Sequence, residues 1–232
     1  MWQLLPWLLI LNPANLMMLH QQRPIIAREG MLPIAAVLVL AAVLYYFYGW
    51  WVSFGVWIVA AALMFIFRDP RRQVPPFPLA IVAPIDGKIV SISQERDPYL
   101  DREAIRIKMR GSWWGVFGIR SVMEGKVNDQ WFVALPNGVS QSLYSKNTIP
   151  PFAQWTQSDE GDDIVTTLSP KLARKGIRCE VNSGERIGQG KLCGFIPFGA
   201  NAETFIPPNS RIDVKVGDKI KAGVGIIATL VR

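Results

Sequence analysis

Thirty-eight consecutive residues, 30–67, carry no charged side chain. As one helix they would extend about 57 Å at a rise of about 1.5 Å per residue, almost twice the roughly 30 Å core of a bilayer. Two spans of about 17 residues fit better. The sequence offers a break at Tyr48-Gly49-Trp50-Trp51, where glycine loosens the helix and aromatic rings suit an interface. Arg23 and Arg28 precede the run, and Arg68, Arg71 and Arg72 follow it. Lys and Arg favour the cytoplasmic side, so two basic flanks imply a hairpin with both ends in the cytoplasm. A single tilted helix plus a buried segment is the alternative. The first twenty residues are also apolar, but Pro6 and Pro13 interrupt them and no basic stretch precedes them. They read as an interfacial segment rather than a secretory signal. The expected layout is an interfacial segment over 1–29, a transmembrane hairpin over 30–67, a Pro/Arg-rich linker over 68–79, and a folded domain over 80–232.

The remaining composition narrows the chemistry. Of 232 residues, 50% are hydrophobic and only 19% charged, with a mean hydropathy of +0.21, in keeping with a membrane-embedded part. Nine Trp, 11 Phe and 5 Tyr supply core material and argue against disorder. The net charge of +7 is scattered, and the membrane flank accounts for part of it, so nucleic acid is not an expected partner. Two cysteines, Cys179 and Cys193, cannot make a disulfide scaffold. They are expected to be free thiols, which suits a cytoplasmic body. Cys179 reads as a core residue, and Cys193, before Gly194, as a candidate reactive thiol without a basic partner. The one histidine, His20, precedes the apolar run. The domain therefore has no imidazole for a Ser-His-Asp triad or a zinc site.

Beyond the linker, short β-like runs alternate with glycine turns. Ala104-Ile105-Arg106-Ile107-Lys108-Met109 alternates apolar and basic, as a half-buried strand does. Residues 80–83, 88–92, 130–135, 163–168, 177–181 and 225–231 read similarly, and only 169–175 reads as a short helix. The domain is expected to be mainly β, a barrel or sandwich. Two echoes point to duplicated β modules. Ile85-Asp86-Gly87-Lys88-Ile89 returns 38 residues later as Met123-Glu124-Gly125-Lys126-Val127. Gly184-Glu185-Arg186-Ile187 returns 33 residues later as Gly217-Asp218-Lys219-Ile220.

Six segments, in order, resemble the phosphatidylserine decarboxylase family, in its short membrane-anchored form. They are Phe65-x-Phe67-Arg68-Asp69-Pro70-x-Arg72, Ala83-Pro84-Ile85-Asp86-Gly87-Lys88-Ile89, Arg120-Ser121-x-x-x-Gly125-Lys126-Val127, Ala173-Arg174-Lys175-x-Ile177-x-Cys179, Gly194-Phe195-Ile196-Pro197-Phe198-Gly199, and the tail from Val214 to Gly223. The resemblance implies a proenzyme that cleaves itself before a serine, which becomes a pyruvoyl group. That group then forms a Schiff base with the substrate amine and acts as the electron sink for decarboxylation. It also implies a histidine that, with an Asp, activates the serine.

Carried onto this chain, the serine position holds Ala200, the histidine position Phe117, and the acid position Asp86. Alanine has no hydroxyl to attack the preceding carbonyl, and a phenyl ring carries no proton. No pyruvoyl cofactor is therefore expected, nor any metal. Asp86 beside Gly87 also reads as an ordinary turn residue. A shifted register would put the serine at Ser210, after Pro207-Pro208-Asn209, at the expense of the spacing on both sides. Arg68, Arg71 and Arg72 are expected to face lipid headgroups. The resulting expectation is a membrane-bound, non-catalytic relative that binds phospholipid or regulates its metabolism, alone, as an oligomer, or with an active paralogue. Two alternatives stand beside it: an active decarboxylase with an unrecognised site, and a lipoyl-like β adaptor.

Overall fold

The structure is a computed structural model that describes residues 26–70, 72–77, 79–132, 152–172 and 179–231. It opens with a helix pair, α1 (Arg28–Tyr48) and α2 (Trp50–Ile66). The break falls at Gly49, whose φ of +77° is reached at low cost only by glycine. Ser53 secures the turn, its hydroxyl donating to the carbonyls of Gly49 (3.1 Å) and Trp50 (3.2 Å). The helices pack through Ile34 and Ala41 on one side and Ser53 and Ala60 on the other. Three of these four are small, which lets the backbones approach. Leu32, Tyr46 and Trp51 lie on the outside, and Trp51 is 91% exposed. Ala27 N–H donates to Phe67 O at 2.8 Å, and Ile26 bridges Arg68. The two described ends of the pair, at Ile26–Ala27 and Phe67–Arg68, therefore meet. Gly30–Tyr48 is long and apolar enough to cross a membrane, with a mean hydropathy of 2.2, whereas α2 is shorter, at 17 residues.

The rest is mainly β, as its alternating runs imply. The strands are β1 (Ala80–Val82), β2 (Gly87–Asp97), β3 (Arg102–Gly111), β4 (Gly118–Arg120), β5 (Gly125–Phe132), β6 (Phe152–Gln157), β7 (Asp163–Pro170), β8 (Arg186–Ile187), β9 (Leu192–Phe195), β10 (Ala200–Ile206), β11 (Arg211–Ile212), β12 (Lys219–Ile220) and β13 (Ile226–Thr229). Eight of them form one antiparallel curled sheet in the order β12-β2-β3-β10-β7-β6-β5-β8. That order repeats itself about the β10–β7 pair: β12-β2-β3-β10 matches β8-β5-β6-β7. The sequence echoes lie at equivalent places. Gly87 faces Ile220 and Lys88 faces Lys219, just as Gly125 faces Ile187 and Lys126 faces Arg186.

The hydrogen bonds repeat as well. Ile89 N–H donates to Asp218 O (2.9 Å) and Gly217 N–H to Ile89 O (3.0 Å); Val127 N–H donates to Glu185 O (2.9 Å) and Gly184 N–H to Val127 O (2.7 Å). A bulge follows Ile89 in β2 and Val127 in β5. At the join, Val82 N–H donates to Val122 O and Arg120 N–H to Pro84 O, the same bond read in both directions across 38 residues. Both strands must start with glycine, since a Cβ at Gly87 would lie 2.3 Å from Arg110 O and one at Gly125 would lie 2.2 Å from Gln157 O. Ile81, Ile89, Ile107, Ile164, Leu168 and Ile227 fill the interior between the modules. Burial of such side chains, at about 25 cal/mol per Å² of apolar surface, drives the sheet to curl around them.

Two expectations fail. Cys179 and Cys193 are not free: they form a disulfide with Cα atoms 5.2 Å apart. The cause is a bridge between Cys179 and Gly194 that lays the segment beside β9. The thiol chemistry proposed for Cys193 is therefore closed off, and the cysteines no longer support a reducing compartment. The helix expected over 169–175 is absent where it can be seen, because Ser169 and Pro170 end β7, held in register by Asn201 and Ala200. Residues 173–175, and with them most of the Ala173-Arg174-Lys175 motif, lie outside the described residues, as do His20 and Arg71.

Candidate functional site

Asp86 lies in the turn between β1 and β2, Phe117 in the loop from β3 to β4, and Ala200 at the start of β10. Although far apart in the chain, all three line one small cavity of about 10 Å³, together with Gly111, Ser112 and Ile196. That is barely the room one water molecule needs. Ser210 follows the far end of β10. Seven strand residues, at about 3.3 Å each, separate that end from the cavity. Ser210 therefore lies well away from the cavity that Asp86 and Ala200 share.

The Asp86 carboxylate is fully engaged. Both oxygens accept from the Arg72 guanidinium, one of them at 2.7 Å. One also accepts from Ala222 N–H at 2.8 Å and the other from Val116 N–H at 3.0 Å. Burial by itself would raise this carboxyl's pKa, but the Arg72 guanidinium and the two backbone N–H groups outweigh it and hold it below the usual value. Arg72 also donates to Ala222 O at 2.8 Å, and its side chain is only 8% exposed. Rather than projecting into solvent, it is turned inward onto the β1–β2 turn. A second ion pair docks the same linker: Arg120 to Asp69 at 2.9 Å, both buried. Arg68 donates to Trp114 O at 3.2 Å and stacks 4.0 Å from the Phe65 ring centre.

Phe117 is 6% exposed. Its ring packs edge-on to Phe195 and tilted against Phe198, each at 6.5 Å, in a cluster with Ala27, Ile66 and Phe67. Phe117 thus belongs to an aromatic core that joins the β domain to the root of the helix pair. Ala200 is 2% exposed. The two residues before it are both left-handed, Phe198 at φ +64° and Gly199 at +78°. For a bulky residue that conformation costs about 1–2 kcal/mol. Gly111 packs so tightly beneath it that a Cβ there would lie 2.0 Å from Ala200 O.

Two larger hollows flank this cavity and share the Gly111–Ser112 wall. One, about 640 Å³, is lined by Phe65, Ile66, Trp113, Trp114, Phe117 and Phe198, and so opens beside the end of α2. The other, about 370 Å³, is lined by Asp86 and four cations: Lys88, Arg110, Lys219 and Lys221. Lys171 stands nearby, donating to Gly111 O, with its ammonium 4.4 Å from the Trp113 ring centre. Burial, and then the Arg110 charge, lower its pKa. Neither hollow was visible in the sequence. Trp113-Trp114 could have been flagged as an exposed aromatic pair, whereas the four cations meet only through strand register. Among the described residues there is no cluster that could hold a metal.

These features define a two-module β protein tethered to an apolar helix pair, with a buried acid, an aromatic ring and a tight turn converging beside an aromatic-lined cleft. The family model for phosphatidylserine decarboxylase matches residues 121–228, which includes position 200. The phosphatidylserine decarboxylase proenzyme of Nitrosomonas eutropha is 36% identical over 211 residues, covering 90% of this chain and 97% of that protein. That of Nitrosomonas europaea is 32% identical over the same shares. Among solved structures, the glucose permease IIA from Mycoplasma capricolum aligns with a TM-score of 0.41 and 14% identity, over 65% of this chain and 94% of that one. The chain belongs to the phosphatidylserine decarboxylase family.

Proposed function

We propose that this chain is a membrane-anchored, non-catalytic member of that family, which acts in phospholipid metabolism by binding phospholipid rather than converting it. One observation carries the reading: a buried alanine methyl stands at position 200, where the family resemblance calls for the serine hydroxyl. A pyruvoyl group is made from that serine, so the residues present do not fit the cofactor. The neighbouring positions support the same reading. Phe117 offers no base, and Asp86, the remaining acid, is committed to Arg72. Its partners are membrane phospholipid and, for regulation, an active paralogue or a second copy of this chain.

The basic residues on both sides of the apolar run in the sequence favour the cytoplasmic membrane with the body inside. A reducing cytosol disfavours a bridge such as Cys179–Cys193, so a C-terminal reporter fusion is the test of sidedness. An active decarboxylase is the second reading. It is favoured by 36% identity to a decarboxylase proenzyme and by the strained left-handed backbone at Phe198 and Gly199, just before position 200. Purified protein in liposomes containing phosphatidylserine separates the two readings. We expect no carbon dioxide release and no phosphatidylethanolamine; formation of either would overturn the non-catalytic reading.

A further inference from the structure

Within the eight-stranded sheet, Lys219 faces Lys88 across β12 and β2, and Lys88 faces Arg110 across β2 and β3. Residues directly opposite share a face, and like charges placed so are destabilising. The equivalent row of the other module is built differently: Arg186 faces Lys126, which faces Gln157, and Arg186 is paired with Asp159. Duplication therefore does not account for the three-cation row. All three line the 370 Å³ hollow, along with Lys221. The one carboxylate in that wall, Asp86, already accepts four hydrogen bonds from Arg72, Val116 and Ala222. Among the described residues the hollow thus presents four cations and no uncommitted carboxylate for an ammonium group. Through Gly111 and Ser112 it adjoins the 640 Å³ aromatic cleft beside α2.

We propose that these two hollows form one site for a diacyl phospholipid with an anionic headgroup. The phosphate lies against Lys88, Arg110 and Lys219, and an acyl chain lies in the cleft walled by Trp113, Trp114 and Phe198. An amine on the headgroup contributes nothing to binding. Phosphatidate and phosphatidylglycerol therefore bind at least as tightly as phosphatidylserine, and zwitterionic phosphatidylethanolamine is rejected. This inference rests on the lipid-binding reading above, but whether the chain is cleaved or active is read separately on a gel.

The test uses full-length protein, stripped of lipid in detergent and titrated with each of these lipids and with phosphatidylcholine, with complexes counted by native mass spectrometry. Phosphatidate and phosphatidylglycerol should bind more than tenfold tighter than phosphatidylethanolamine. The triple variant Lys88→Gln, Arg110→Gln, Lys219→Gln should lose at least tenfold of that affinity while remaining as heat-stable as the parent without lipid, because it relieves a like-charge row. Lys219→Gln alone provides the same comparison should the triple variant fail to fold. Lys126→Gln with Arg186→Gln, on the equivalent row, should change little. Equal binding of phosphatidylethanolamine, an equal loss in the equivalent-row variant, or thermal stabilisation by soluble glycerol phosphate as large as that by the lipid would each overturn the proposal.

Discussion

Arg72→Met leaves Asp86 buried without its cation. Removing one partner of a buried ion pair typically costs about 3–5 kcal/mol. Asp86 would keep the N–H groups of Val116 and Ala222, and its side chain is 13% exposed, so the lower end applies, about 3 kcal/mol. At about 2–4 °C per kcal/mol for a domain of this size, the midpoint should fall by about 6–12 °C. The pH dependence carries its own sign. In the parent the Asp86 pKa is depressed below 3.8, so the pair's contribution is present at neutral pH and fades only as pH falls through that low value. In the variant, burial acts with less to oppose it, and the carboxyl's pKa rises. Protonation then relieves the buried charge, and the deficit relative to the parent narrows between neutral and mildly acid pH. Thermal unfolding followed by tryptophan fluorescence in detergent, at several pH values, reads both effects. A loss below about 0.5 kcal/mol, the scale of an exposed pair, or a deficit indifferent to pH, would refute the claim that Arg72 neutralises a buried Asp86.

Three further outcomes are expected. Ala200→Ser alone should not cleave itself over days, because a serine hydroxyl without an adjacent base is a weak nucleophile and general-base help is worth about 10²–10⁴-fold; adding Phe117→His should speed cleavage on a gel, and prompt cleavage by the single variant would place the base elsewhere. Alkylation should find no thiol before reduction and two after it, and replacing Cys179 and Cys193 by Ser should lower stability by about 3 kcal/mol for a loop of this length, measured by denaturant unfolding. Gly111→Ala must drive β3 off β10, since its Cβ would lie 2.0 Å from Ala200 O; a thermal midpoint unchanged from the parent would contradict the close packing beneath position 200.

The features legible in the sequence were those written locally. The helix break at Gly49 followed from length and one residue, and the paired echoes pointed to duplicated β modules, whose equivalent pairings at Gly87 and Gly125 the structure adds. The family resemblance implied that residues 86, 117 and 200 meet, and they line one cavity. What escaped depends on tertiary pairing. Arg72 reads as a membrane-flank cation until the linker folds back onto the β1–β2 turn. Cys179 reads as a core residue until its segment lies beside Gly194. The Lys219–Lys88–Arg110 row joins three distant strands. At Ser169 and Pro170, the described start of the helix expected over 169–175, pairing with β10 overrides local propensity.

The central claim is that position 200 cannot generate the family's cofactor, and the intact mass of the purified protein tests it most directly. A single chain near 26.0 kDa, with no fragment beginning at residue 200, is the predicted result. Two chains, the smaller starting at residue 200 with a blocked, carbonyl-bearing N-terminus, would contradict it.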